Sequence, residues 1–223
     1  MAKPKSKPRR VVRKRTTGRG KYDRTASAET RFTEQHTKLL DFATQLFADK
    51  GFASTTVAQI IAKAGMSRRT FYEHFVDLRD VLAQVYERAA DVGFTLVAHQ
   101  GRAETDPLAQ VRAGLAAYFS VVAAYPEVAR VMFQEYPAAG RDFAARYQAD
   151  SMRYGTLLHE SLTLAHAKGL IAKAPTEIAV FTLFKGIEML AVTQIAKREH
   201  AKLPSLAPDL ADLIIDAFVR VRS

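Results

Sequence analysis

Hydrogen-bond donors are concentrated in one short stretch of the chain. Six side chains that can donate to phosphates or base edges lie within residues 67–74: Ser67, Arg68, Arg69, Thr70, Tyr72 and His74. An arginine can bind guanine O6 and N7 together, and hydroxyl groups can donate to phosphate oxygens. The N-terminal residues of a helix in the major groove reach base edges. The pattern therefore predicts a DNA-reading segment, with Ser67 to Thr70 at the bases.

Two short helices must position these donors. Val57, Ile60 and Ile61 recur at helical spacing after a threonine pair that can cap a first helix. Gly65 can adopt the left-handed conformation that ends a helix, and Ser67 can cap the next one. Residues 55–74 are therefore interpreted as a helix-turn-helix motif. A helical hairpin with solvated arginines is the alternative.

The segment from about Lys38 to Leu82 resembles the TetR family of bacterial transcriptional regulators. The resemblance rests on short motifs in the order expected for that family: Leu46-Phe47-Ala48, Lys50-Gly51-Phe52, Thr55-Thr56-Val57, Ile60-Ile61-Ala62, Ala64-Gly65-Met66-Ser67, Thr70-Phe71-Tyr72 and His74-Phe75. It implies an N-terminal three-helix DNA-binding domain and a C-terminal helical domain that binds an effector and dimerises.

The resemblance also implies roles for individual residues. Thr55 and Thr56, with the start of their helix, match a phosphate clamp. Tyr72 and His74 match positions that hold phosphates or contact thymine. The family often has a phosphate-binding lysine where this chain has Leu78, and the neighbouring Arg79 is the candidate replacement. Arg69 stands where the family often has glycine, so base contacts can differ here.

The net charge of +10 is unevenly distributed along the 223 residues. Residues 1–22 hold ten of the 33 basic residues and no acid, which leaves 23 basic against 23 acidic residues elsewhere. Such a segment, with few apolar residues, cannot form a core. We expect residues 1–29 to form a disordered basic arm. It either inserts into a minor groove or is a solubilising tail, and its charge favours general attraction to DNA.

Composition excludes several classes of protein. The chain has no cysteine, so disulfides and thiolate metal sites are excluded. Its longest stretch without a charged residue, 113–126, is shorter than the roughly 20 residues of a membrane helix. The basic N-terminus has no apolar segment behind it, so it is not a secretion signal. We expect a cytoplasmic protein that does not enter membranes.

The rest of the chain predicts an all-α fold. We expect a helix-turn-helix DNA-binding domain at 30–76 and an effector-binding and dimerisation domain at 77–223. Thr33 is the expected cap of the first helix and Asp77 that of the fourth. Later helices are predicted from Pro107, from Pro126, over 141–168, from Thr176 to about His200, and from Pro208 to about Arg222.

The resemblance implies a small-molecule effector in a cavity between helices. Few charges are expected to point inward, which favours a hydrophobic or aromatic effector. The candidate lining residues are large and apolar or aromatic: Phe94, Tyr118, Tyr125, Met132, Phe133, Tyr147, Met152 and Phe184. Most such residues simply form the core of a domain.

The last two helices are the expected dimer interface. The helix over 176–197 is apolar on more than one side, so it must be covered on opposite faces. We expect contacts from Phe181, Leu190, Ile214 and Phe218; burial inside one subunit is the alternative. A two-fold pair of reading helices would bind a palindromic operator in double-stranded DNA.

We find no sequence support for catalysis, a cofactor or a metal site. HExxH, GxSxG and phosphate-loop patterns are missing from the sequence. His159 and His166 could share a helix face, but a hydrogen-bonded or exposed pair is favoured over a metal site. The sequence thus favours a TetR-like repressor released from its operator by an effector. The alternative is an architectural protein that binds DNA without reading its sequence.

Overall fold

The computed structural model describes residues 27–219, and the regular secondary structure of this part of the chain is all helical, without a strand. It confirms the all-α prediction. Residues 1–26, which contain the cations of the predicted arm, lie outside the described residues, as do 220–223.

Four helices form the N-terminal region: α1 (Ala28–Lys50), α2 (Val57–Ala64), α3 (Arg68–His74) and α4 (Leu78–Arg102). After them come α5 (Pro107–Ala124), α6 (Pro126–Arg130), a π-helical segment (Val131–Glu135), α7 (Tyr136–Ala138), α8 (Arg141–Ala167), α9 (Glu177–Ala196), a 3₁₀ turn (His200–Lys202) and α10 (Leu203–Asp216).

The first helix begins earlier than predicted. Its cap is Ser27, whose Oγ accepts a hydrogen bond from the Thr30 backbone N–H at 3.1 Å. Thr33 lies inside α1 and donates its hydroxyl to the Glu29 carbonyl at 3.1 Å. The prediction of a cap at Thr33 was wrong, because an earlier hydroxyl already satisfies the free N–H groups of the helix start. Ala28 and Glu29, assigned to the arm from sequence, belong to α1.

The last two helices also differ from their predicted bounds. The helix predicted from Pro208 begins at Leu203, with Pro208 inside its second turn. Proline there removes one backbone donor, which would otherwise bond to the carbonyl four residues earlier, so the second turn of the helix lacks one hydrogen bond. The helix predicted to reach about His200 ends at Ala196, after which Arg198 adopts a positive φ of 59°.

The described part of the chain contains two hydrophobic cores. The N-terminal core joins α1, α2, α3 and the first half of α4, and it also includes Val131 and Tyr136. The rings of Tyr86 on α4 and Tyr136 stack with centroids 3.6 Å apart. The second core joins α5, α8, α9 and α10 with the end of α4. The N-terminal core therefore does not end at α3 but continues into the segment between α6 and α8.

A glycine sets the close packing of α8 on α9. A Cβ added to Gly155 would overlap the ring of Phe181, so no larger residue fits without movement. By length and apolar composition alone, α5 and α9 could also cross a membrane. Here α5 packs against α4, α8 and α10, and α9 packs against α8.

Candidate functional site

Helix α3 presents polar side chains outward and aromatic ones inward. The Ser67 hydroxyl accepts from the Thr70 backbone N–H at 3.0 Å, which fixes the helix start. Phe71 is fully buried, and Phe75, which ends the helix, is 2% exposed. On the opposite side the Arg69 side chain is 90% exposed, Tyr72 is 54% exposed and Arg68 is exposed. The reading face predicted from sequence is therefore accessible at these three residues.

Some of the side chains predicted to contact DNA already form hydrogen bonds within the protein. Thr56 caps α2 through a reciprocal pair: its Oγ1 accepts from the Gln59 N–H at 3.3 Å, and its own N–H donates to Gln59 Oε1 at 2.9 Å. The hydroxyls of Ser67 and Thr70 lie 2.9 Å apart. These groups are at helix starts and can still accept or donate a second bond.

Thr55 does not face solvent. It is 4% exposed, and its hydroxyl donates to the Gly51 carbonyl at 2.8 Å. The hydroxyl closes the turn after α1, and the predicted role of Thr55 in a phosphate clamp stays a prediction. The accessible member of the pair is Thr56.

His74 is turned toward the protein. Both ring nitrogens are buried without a hydrogen-bond partner, and the ring packs 4.1 Å from Phe32 and 5.5 Å from His36, centroid to centroid. Burial lowers the pKa of His74, His36 lowers it further, and Glu73 opposes the shift. Neither nitrogen is accessible in this arrangement, so the predicted contact of His74 with phosphate or thymine would require the ring to move.

Arg79 also makes contacts within the protein. Its Nη1 donates to the Ala139 carbonyl at 3.0 Å, and its guanidinium lies 4.5 Å from the Phe143 ring centroid. Arg79 thus links the start of α4 to the α7–α8 connection. The residue is also exposed, and its contact with phosphate stays a prediction.

A cavity of about 330 Å³ lies where the two cores meet. Its walls come from α4, α5, α6, the π-helical segment, α8 and α9, and Thr44 of α1 reaches it. Five of the predicted effector residues line it: Tyr118, Tyr125, Met132, Phe133 and Tyr147. A volume of this size suits a small organic ligand.

A second cavity of about 270 Å³ lies on the far side of a shared wall. Val97, Tyr118 and Tyr154 line both cavities, and the predicted residue Phe184 lines the second. Phe94 and Met152 line neither. Phe94 packs against Arg153, whose guanidinium lies 4.0 Å from the ring centroid, and Met152 is 44% exposed.

The sequence reading missed three polar residues in the larger cavity. Asp150 and Ser151 of α8 and Glu188 of α9 line it and are at most 8% exposed. Burial raises the pKa of Tyr147, and the neighbouring Glu188 carboxylate raises it further. The expectation of few inward charges was wrong here. The available sequence signal was a lone acid, Glu188, within the apolar run of α9.

The same region contacts the helix-turn-helix domain. Glu135 Oε2 accepts from the Phe52 backbone N–H at 2.7 Å, and Arg130 Nη1 donates to the Ala48 carbonyl at 3.3 Å. Glu135 belongs to the π-helical segment that also supplies Met132 and Phe133 to the cavity wall. A ligand touching that wall would therefore lie one turn from the contact with the DNA-binding domain.

The predicted dimer residues are largely covered within one subunit. Ile214 and Phe218 are 2% and 4% exposed, and Phe181 and Leu190 are partly buried. For Ile214 and Phe218 the alternative of burial within one subunit is the observed one. The exposed apolar residues of the two helices are instead Ile178, Met189 and Leu213, at 78%, 63% and 59%.

The two candidate metal histidines bond to separate backbone carbonyls. His159 Nε2 lies 3.1 Å from the Pro175 oxygen, and His166 Nδ1 lies 3.2 Å from that of Ile171. Between residues 27 and 219 no group of three metal-binding side chains comes together.

Comparison with known proteins identifies the helix-turn-helix region. Residues 39–85 match the family model for bacterial regulatory proteins of the tetR family. The chain is 32% identical over 90 residues to the HTH-type transcriptional regulator AcrR of Shigella flexneri. That alignment covers 40% of this chain and spans only 41% of AcrR.

Solved structures extend the likeness to the whole fold. The fatty acid degradation regulator FadR of Bacillus halodurans superposes with a TM-score of 0.75 at 21% identity, covering 84% of this chain and 97% of that one. FadR of Bacillus subtilis, in complex with stearoyl-CoA, gives 0.72 at 16% identity, covering 81% and 97%. The family match therefore covers the helix-turn-helix region, residues 39–85, and the solved structures show that the chain as a whole has a fold similar to theirs.

Proposed function

We propose that this protein is a cytoplasmic DNA-binding transcriptional regulator, a homodimeric repressor that a small molecule releases from a palindromic operator. One observation carries the proposal: α3, whose outer face is exposed, packs with its inner face into a core that continues into the wall of a ligand-sized cavity. A DNA-reading surface and a candidate effector site thus share packed side chains.

Arg68, Arg69 and Tyr72 are the residues we assign to DNA contact, because they are the predicted contacts exposed on α3. The two arginines lie at the helix start, where a major-groove helix reaches bases. Arg69 pairs with Glu73 at 3.0 Å in an exposed salt bridge. Such a pair is weak enough for a guanine or phosphate to replace the carboxylate.

A second copy of the chain is the proposed partner of α9 and α10. Their exposed apolar residues, Ile178, Met189 and Leu213, would otherwise remain in water. A two-fold axis at this face would pair two α3 helices and require a palindromic site.

Release requires an effector that binds better to the dimer form whose α3 helices do not fit the operator. The path we propose runs from the cavity through Met132 and Phe133 to Glu135, which bonds Phe52 next to the helix-turn-helix motif. The stearoyl-CoA complex of a structural neighbour supports a small-molecule effector as a class.

Single arginine substitutions test the DNA-reading surface. We expect Arg68→Ala or Arg69→Ala to lose base preference at one operator position, by about 1–3 kcal/mol. Affinity would be measured on a duplex selected from a random library and on its single-base variants. Arg112→Ala, a change of equal charge on α5, is the control and should keep the full preference.

The same titrations distinguish the architectural alternative. A protein that coats DNA would bind selected and scrambled duplexes equally, with equally steep salt dependence. Retention of base preference by both α3 variants would also contradict the proposal.

A further inference from the structure

The two cavities follow one another along the same three helices. On α4, the residues that line the larger cavity fall within 85–97 and those that line the smaller one within 97–102. The corresponding ranges are 118–122 and 110–118 on α5, and 147–154 and 154–164 on α8. Each helix therefore passes from one cavity to the other at a single residue: Val97, Tyr118 and Tyr154. With about 1.5 Å of rise per residue, the lined part of α4 is about 25 Å long.

The wall between the cavities is one side chain thick, because the same three residues line both of its faces. Tyr154 reaches across it from α8 to α4: a Cβ added to Gly93 would lie 3.3 Å from the Tyr154 hydroxyl. Its ring stacks on that of Phe184 with centroids 5.9 Å apart and meets the ring of Tyr118 edge-on at 5.4 Å. The position of one tyrosine ring therefore decides whether the cavities are separate.

Ring packing alone holds Tyr154 in the wall. Among residues 27–219, its hydroxyl has no hydrogen-bond partner. Rotation of the side chain would exchange aromatic contacts for others, and it would leave no polar group newly unpaired. Gly93 leaves room beside the hydroxyl, since it has no side chain of its own.

Charged groups at the larger cavity are paired within the protein. Lys185 Nζ lies 2.6 Å from both Glu188 Oε2 and Ser151 Oγ, and Arg146 Nε lies 2.8 Å from Asp150 Oδ2. The other charged residues that line the two cavities are exposed: Arg88, Arg102 and Glu160. Most of the remaining lining is aliphatic or aromatic. The length of an apolar ligand, rather than its charge, is therefore what these cavities can select.

We propose that the two cavities form one elongated site that opens when Tyr154 rotates, and that this site binds an unbranched apolar chain lying along α4, α5 and α8. A wide or branched ligand would remain in one cavity, because the opening is only as wide as the space that one ring leaves. The role of the chain as an effector rests on the proposed regulatory function; the binding itself does not.

A series of neutral alcohols tests the length of the site. Radiolabelled octanol, decanol, dodecanol and tetradecanol would each be equilibrated by dialysis with the full-length protein. Affinity should rise through the whole series, by up to about fourfold for each methylene group that becomes buried. An affinity that stops rising before tetradecanol overturns the proposal, and so does the failure of the series to bind.

A substitution at Gly114 can close the smaller cavity from inside. Gly114 lines that cavity, and a Cβ added to it would meet no atom within 4 Å. Gly114→Leu should therefore leave octanol binding unchanged and weaken tetradecanol binding by at least tenfold. Ala116→Leu is the matched control, because it adds leucine at an exposed position of α5 that lines neither cavity. Undiminished tetradecanol binding in Gly114→Leu would show that the chain does not pass the wall.

A second pair of variants tests the ring of Tyr154. Tyr154→Ala removes the barrier and should strengthen tetradecanol binding more than octanol binding. Tyr154→Phe keeps the ring and loses only a hydroxyl without a partner, so it should bind both alcohols as the wild type does. An equal effect of the two substitutions on tetradecanol binding would show that this ring does not separate the cavities, which contradicts the proposal.

Operator binding separates this inference from the proposed function. A protein that a compact ligand releases from its operator, and whose affinity for alcohols stops rising before tetradecanol, would retain the regulatory function and lose the elongated site. A protein that binds the alcohols as expected but reads no DNA sequence would show the opposite.

Discussion

The polar side chain of His74 is packed in the way an apolar side chain would be. Its ring closes the space between the end of α3 and Phe32 and His36 of α1, with both nitrogens cut off from water and from partners. Only the neutral imidazole suits this place, because a protonated ring would bury an unpaired charge. The packing of the DNA-reading helix on α1 therefore depends on the protonation of one side chain.

This dependence predicts a loss of stability in mild acid. The pKa of His74 is lower in the folded protein than the 6.5 of an unfolded chain, so the unfolded state binds the proton more readily. The stabilisation is complete above about pH 6.5 and decreases as the pH falls toward the lowered value. Between about pH 7.5 and about pH 5.5, the melting temperature of the wild type should fall by more than that of His74→Phe.

The control is His99→Gln, which removes an exposed histidine from α4. It should retain the pH dependence of the wild type. An unchanged dependence in His74→Phe would show that the His74 proton is not linked to folding.

At the scale of secondary-structure elements, helix α3 depends on the rest of the protein for its stability and its direction. Helix α3 has seven residues, too few for an isolated helix to persist in water. Its direction is set by what Phe71 and Phe75 pack against, and that core reaches the π-helical segment through Val131. Contacts that hold this segment to the DNA-binding domain therefore matter for how α3 is presented.

Glu135 provides a direct test of such a contact. Glu135→Ala should leave the Phe52 N–H without an acceptor and lower the free energy of unfolding by about 1–3 kcal/mol. Amide hydrogen exchange at Phe52 should accelerate with it. Glu135→Gln keeps a carbonyl acceptor and should retain most of the stability. Equal stability of the two variants would show that this bond contributes little.

Local signals in the sequence sufficed for the starts of α3, α4 and α5 and for the turn between α2 and α3. The side chains of Ser67 and Asp77 cap α3 and α4 as predicted, α5 begins at Pro107 as predicted, and Gly65 takes the left-handed conformation with φ of 68°. These features depend on residues within one turn of each other.

The direction in which a polar side chain points could not be predicted in this way. Arg79 meets Ala139 and Phe143, sixty or more positions away in the chain, and His74 meets Phe32 on α1. Asp150 and Glu188 face a common cavity only because α8 packs on α9. Each outcome was decided by a contact between distant segments, which periodicity within one helix does not contain.

At the scale of the whole molecule, adjacent residues of α10 test the dimer. Leu213 is 59% exposed and Ile214 is 2% exposed. Leu213→Lys should sediment as a monomer whose thermal stability is unchanged in a separate melting experiment. Its operator affinity should fall, because two half-sites are no longer bound together. Ile214→Lys places a charge in the core and should unfold the subunit instead. A Leu213→Lys protein that remains dimeric would exclude this part of α10 from the interface.

Gly155 and Phe181 carry an evolutionary consequence. Because a methyl group at position 155 would overlap the ring of Phe181, Gly155 can be replaced by a larger residue only after Phe181 has been replaced by a smaller one. The two sites should covary among descendants of this protein. Ser151 lies one turn before Gly155, and Lys185 one turn after Phe181. The spacing of α8 and α9 beside Ser151 and Lys185 is therefore conserved only as long as positions 155 and 181 change together.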